Sequence, residues 1–305
     1  MNLSRAIYRV YFIAIVLGKN LPCPVIYENS YFEEIISDGL TNLISLQNNL
    51  KSVTLRSDTI YSETNFTTSS LTKSSLTLTK LKIIQYYISL SFISMFTNLQ
   101  ELILSFDINN SFIDFNQYIT FSQLRVLKFL FACPRVETLI GFLEINGKNL
   151  TEFYVGDHDN TLNLAIAKFC PNLKILFTIF EGNELETLKV ILNSCQYLEN
   201  IRVWCNDGYL NDKKFLDVLV KHSPKNFYEL EIYYCSPSEI LPDELEKFFI
   251  SWKSRAPQKS LSLIIFNDNN ETFSLDMKNM EIIKKYMETG LIKKFESKKY
   301  NFHEF

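Results

Sequence analysis

Four segments of the chain repeat one phrase: GKNLTEFYV at 147–155, CPNLKILFTI at 170–179, CQYLENIRV at 195–203 and PKNFYELEI at 224–232. In each, a leading apolar residue (Leu150, Leu173, Leu198 or Phe227) is followed at +3 and +5 by further apolar or small residues. A period of two is that of a strand with one buried face. Between copies the period lengthens to about 3.6, the helical value. Residues 161–169 place Leu162, Ala165, Ile166 and Phe169 on one face; 184–192, 212–220 and 242–252 do likewise. Asn183 or Gly182, Asn211 and Pro242-Asp243-Glu244 supply helix-start chemistry. Residues 279–289 read as a last amphipathic helix stopped by Gly290.

The phrase extends outward in both directions. Leading positions fall at Leu50, Leu78, Leu99, Leu124, Leu150, Leu173, Leu198 and Phe227, separated by 21 to 29 residues. That spacing is the period of about 20–29 residues of leucine-rich repeats. Strands at 260–265 and 292–296 close the series. One strand-plus-helix unit cannot bury its own apolar face, so the copies must stack. The predicted fold is therefore an α/β leucine-rich-repeat-like solenoid, with a parallel concave sheet and convex helices. It spans residues 31–295, after an N-terminal apolar segment or cap at 1–30 and before a tail at 296–305.

Composition fits this reading. A hydrophobic content of 47% in 305 residues is ample for a continuous core, and eight Gly and eight Pro are too few for a disordered chain. The net charge of −3 offers no electrostatic case for nucleic acid or an anionic membrane. Six cysteines (Cys23, Cys133, Cys170, Cys195, Cys205 and Cys235) show no CxxC spacing, and Cys170 and Cys195 recur just before a strand. They read as small core residues of a reduced cytoplasmic or nuclear protein.

Residues 10–17 (VYFIAIVL) form an unbroken apolar run behind Arg5 and Arg9. A structural cap, a signal sequence and a membrane anchor all stay open for it, although the run is shorter than the roughly 20 residues of a span. A helix is expected over 31–50 and a Ser/Thr-rich loop over 56–77. Asn-x-Ser/Thr triplets at Asn2, Asn65, Asn109, Asn149 and Asn270 keep a secreted or surface repeat protein as the alternative.

Catalytic chemistry finds no support. No phosphate loop, dinucleotide fingerprint, zinc-protease motif or nucleophile elbow occurs. His158, His222 and His303 are the only histidines. Asp157-His158-Asp159 reads as a solvated turn, and the lysine pairs 284–285, 293–294 and 298–299 read as a solvated terminal face. No enzyme activity, cofactor or metal is expected.

The cysteine-led segments Cys170-Pro-Asn-Leu-Lys-Ile-Leu and Cys195-Gln-Tyr-Leu-Glu-Asn-Ile resemble the repeat half of F-box/leucine-rich-repeat proteins. So does the Asn/Cys slot eight residues past the leading position, filled by Asn206 and Cys235. Elsewhere Glu181, His158 and Ala132 stand in that slot. The style of 161–265 looks like that of fungal F-box-domain-containing proteins, and the specific resemblance covers roughly 145–295. The resemblance implies a substrate receptor of an SCF-type ubiquitin ligase, with a Skp-type adaptor docked on an F-box near the N-terminus. Leu21-Pro22 is followed by Cys-Pro-Val and by no F-box pattern. An adaptor is therefore expected only if that module is encoded upstream.

The expected activity is binding of a protein partner. Strand residues at +2, +4 and +6 should face the concave side. Tyr154, Phe177, Arg202, Trp204, Glu231 and Tyr233 stand out there as an exposed aromatic patch with charges beside it, the composition of interface anchors.

Overall fold

The computed structural model describes residues 25–28, 49–57, 71, 74–85, 89–107, 112–115, 117–234, 236–255, 259–267 and 277–299. The readings for 1–20, 31–48, most of 56–77, Cys23, Cys235, His303 and four of the five Asn-x-Ser/Thr sites lie outside the described residues.

Eleven strands form one sheet in strict chain order. They are β1 (Val25–Glu28), β2 (Ser52–Ser57), β3 (Lys80–Ile84), β4 (Glu101–Phe106), β5 (Val126–Phe131), β6 (Glu152–Val155), β7 (Ile175–Phe177), β8 (Asn200–Cys205), β9 (Glu229–Tyr234), β10 (Leu261–Asn267) and β11 (Ile292–Lys299). Every adjacent pair is parallel. At one end the sheet takes in Val25–Glu28 from the segment set apart as 1–30. At the other, β11 runs through 296–299 of the expected tail.

Sequential order in a parallel sheet requires each connection to cross back over one face. Among the described residues, six α-helices do so: α1 (Val136–Asn146), α2 (Asn160–Phe169), α3 (Leu185–Ser194), α4 (Asp212–His222), α5 (Pro242–Lys253) and α6 (Met277–Glu288). Helix α1 has no counterpart in the sequence reading, although Leu139, Phe142 and Leu143 lie at helical spacing and are buried. Two of the local start signals act as expected, whereas neither Gly182 nor Asn183 caps α3, which starts after Glu184 without a side-chain cap bond. Asn211 accepts from Lys214 N at 3.2 Å, and Glu244 accepts from Leu241 N at 3.2 Å. Asp159 caps α2 through Leu162 N. After α6, Gly290 takes a φ of +75°; its N–H reaches Met287 O and that of Leu291 reaches Tyr286 O, the paired bonds of a glycine stop.

The register stacks like on like. Leu81, Leu102, Leu127, Phe153, Leu176, Ile201 and Leu230 stand side by side on successive strands, each at most 1% exposed. Burying each such side chain stabilises the array by about 2 kcal/mol. Thr178 is the polar member of the inward +5 column and is fully buried; its hydroxyl donates to Asn163 Oδ1 at 2.7 Å. Among the described residues no α-helix stands between β4 and β5. There Phe112 and Phe115 fill the width instead, each edge-on to Phe129 at 5.6 Å, with Phe115 also 5.2 Å from Phe142.

Two sets of polar latches tie the copies together. On the edge where strands begin, the residue before the leading apolar position is often Asn. Asn98, Asn149 and Asn172 each donate to a carbonyl of the previous copy, at Leu76, Phe121 and Lys148 respectively. On the edge where strands end, Asn206 adopts a φ of +65° and donates to Asp212 and to Pro237 O. The fully buried Asp212 accepts from Ser238 Oγ at 2.7 Å and from Glu239 N at 3.2 Å. The Asn slot thus holds adjacent loops in register.

Candidate concave-face site

The six residues singled out in the sequence do lie on one face, in two adjoining rows. The register places Tyr154 beside Phe177, Phe177 beside Arg202 and Arg202 beside Glu231, with Trp204 beside Tyr233 one step along. Their exposure differs from the expectation. Tyr154, Phe177 and Tyr233 are only 1–4% exposed, Glu231 is also buried, and Trp204 and Arg202 are half-buried. The exposed aromatic patch is in fact a second core on the concave side.

The cause is lateral packing. Neighbouring strands are about 4.8 Å apart, a distance at which large rings on adjacent strands must stack. Tyr154 and Phe177 stack with centroids 4.0 Å apart and planes at 15°. Tyr233 and Phe266 stack at 4.4 Å and 5°. Phe177 meets Tyr233 edge-on at 5.8 Å, and Trp204 leans on Tyr233 at 5.2 Å. Leu130 completes the buried group, with Ile103 and Phe266 packed against it. These three occupy the same outward rows in other copies, so counting those rows along the whole sheet would have found them.

Charged side chains pair between neighbouring strands. Lys128 Nζ lies 2.6 Å from Glu152 Oε1, and Arg202 Nε lies 3.0 Å from Glu231 Oε1. Asn200 donates to the same Glu231 oxygen at 2.9 Å. Arg202 also sits 5.8 Å from the Tyr154 ring. Burial, the largest single influence, would lower the pKa of Arg202, but the Glu231 carboxylate together with Tyr154 and Tyr233 outweighs it, so the net shift is upward and the guanidinium stays charged. Burial, then the Tyr233 hydroxyl, push the Tyr154 phenol well above its ordinary value.

The other sequence candidates are engaged in structure. Asp157 accepts from Cys133 Sγ at 3.1 Å, Asp159 caps α2, and the exposed His158 lies 3.9 Å from Asp157. Cys170 and Cys195 are fully buried free thiols, and Cys195 Sγ donates to Cys170 O at 3.4 Å. Among the described residues no cluster of His, Cys, Asp or Glu could hold a metal, and no helix is long and apolar enough to cross a membrane.

An open parallel sheet in chain order, backed by returning helices at a period of 21–29 residues, defines a leucine-rich-repeat-like solenoid. Among solved structures, the leucine-rich repeat-containing protein LegL7 from Legionella pneumophila has a similar fold. The TM-score is 0.50 at 10% identity, over 91% of this chain and 90% of that one. At that identity the likeness concerns the fold alone. No family model and no curated protein sequence matches the chain.

Proposed function

We propose that the chain is a protein-interaction scaffold and that its partner docks on the concave sheet around Trp204, Arg202 and Phe266. One observation supports this most. These three half-buried side chains rest on a stacked, ion-paired base of Tyr154, Phe177, Glu231 and Tyr233. Anchors already held in place lose little entropy on binding, and aromatic and Arg side chains carry most interface energy. The resemblance to F-box/leucine-rich-repeat proteins supports a finer reading, that of the target-selecting part of an SCF-type ubiquitin ligase.

A photo-crosslinking amino acid placed at Trp204 tests the surface, with one at Ile250 (56% exposed on α5) as reference. Discrete adducts from position 204 alone are expected; adducts only from position 250 would move the site to the convex side. Pull-down with a purified Skp-type adaptor tests the finer reading. No adaptor complex, alongside retained adducts at 204, would leave a scaffold outside the ligase system.

A further inference from the structure

The net charge of −3 conceals a row of lysines that only the fold creates, with Glu199 and Glu229 set among them. All strands are parallel, so every turn that starts a strand lies on one edge of the sheet. On that edge stand Lys148, Lys174, Lys225 and Lys259, in the copies leading to β6, β7, β9 and β10. On the opposite edge stand Asp157, Glu181, Asp207 and Glu239, in the turns after β6, β7, β8 and β9. Helices run back between the edges, so their C-terminal ends meet the basic edge, where a cation suits the dipole.

The copy leading to β8 departs from this pattern. Where Asn98, Asn149 and Asn172 hold their latches, this copy has Tyr197. The Tyr197 side chain is 55% exposed and makes no hydrogen bond or ring contact among the described residues. Thr77 and Gln123 fill the same position in two other copies, and Tyr197 is the aromatic residue there, a large ring left open to water. Tyr228, on the next copy, is 37% exposed, with Lys259 Nζ 5.7 Å from its ring. Backbone bonds from Glu199 N to Lys174 O and from Tyr228 N to Glu199 O lock these positions side by side.

We propose that this edge, from Lys148 to Lys259, is a second interaction surface that takes an extended acidic segment of a partner polypeptide. Lysine ammonium groups and tyrosine hydroxyls are all donors suited to carboxylates, and the two rings offer apolar area between them. Glu199 disfavours a nucleic acid. It sits mid-row and pairs with Lys174 at 3.1 Å. A phosphate chain carries charge at every step and would meet it, whereas a polypeptide can place a neutral residue there.

Fluorescence anisotropy on the full chain with a labelled decapeptide of alternating Glu and Gly tests this. Saturable binding is expected, absent for the Gln–Gly analogue. Lys225→Gln with Lys259→Gln should weaken it by about three- to tenfold, the sum of two exposed ion pairs. Tyr197→Asn restores the residue used in the neighbouring latches, so it should fold at least as well and still bind more weakly. Lys284→Gln with Lys299→Gln, on the last helix and at the far end of β11, should change nothing. Equal binding of the Gln–Gly peptide, or an effect of that control variant as large as that of the edge variant, would overturn the proposal. Tighter binding of an oligo-dT decamer through the same lysines would replace the partner with a nucleic acid.

Discussion

Arg202 Nε lies 3.0 Å from Glu231 Oε1, on a carboxylate that is almost wholly buried. The pair joins β8 to β9 on the face where a partner is proposed to dock, so its removal should affect stability as well as binding. Arg202→Met strands Glu231 with only the Asn200 amide. The expected loss is roughly 2–4 kcal/mol, at the low side of a dry pair because Arg202 keeps some exposure. Adding Glu231→Met should restore most of it. Urea unfolding of the two variants checks this, and a double variant no better than the single one would mean the charge is not what matters.

Phe177→Ala removes the ring between Tyr154 and Tyr233. If the concave rings are a core, unfolding free energy should fall by about 3 kcal/mol. A loss below about 0.5 kcal/mol is the surface-residue result, and it would restore the exposed patch read from the sequence.

Gly147 sits against the next copy. A β-carbon there would lie 2.8 Å from Phe169 O and 2.9 Å from Cys170 Sγ. Gly147→Ala should therefore destabilise by about 1–3 kcal/mol through forced separation of the two copies. At Gly208 a β-carbon meets nothing, but the φ of +94° penalises alanine for a backbone reason, by about 1 kcal/mol. Thermal melts of the two variants distinguish crowding from backbone strain. A Gly147→Ala variant as stable as the parent would show that the repeats can slide apart freely.

Alkaline pH should unfold the protein through its buried thiols. Burial pushes Cys195 from 9.0 up to about 12, and Cys133 and Cys170 are raised as well. The folded state then holds protons that the unfolded chain has released, so stability declines as pH rises from about 9 towards 12. The slope is about 1.4 kcal/mol per pH unit for each thiol. Cys195→Ala should make the decline shallower. Urea midpoints that stay constant up to pH 11 would contradict the burial of these sulfurs.

Most of the array was legible because its signals are local. Leu150, Phe153 and Val155 mark a strand by period alone, and Asn211 and Gly290 mark helix ends by backbone chemistry. Helix α1 carried such a signal in Leu139, Phe142 and Leu143, but it lies beside the irregular β4–β5 connection, where the repeat is filled by phenylalanines. Burial of Tyr154, Phe177 and Tyr233 was not legible. It depends on which residues become lateral neighbours across strands some 25 residues apart.

The sequence by itself determined the strand and helix periods, the stacking of identical positions, and hence the solenoid, because each follows from the steric period of a short segment. Only the tertiary structure decided which outward side chains stay open. Stacking parallel strands brings Tyr154, Phe177 and Tyr233 within ring contact and removes them from water. The same stacking gathers Lys148, Lys174, Lys225 and Lys259 on one edge, with Glu199 and Glu229 set among them.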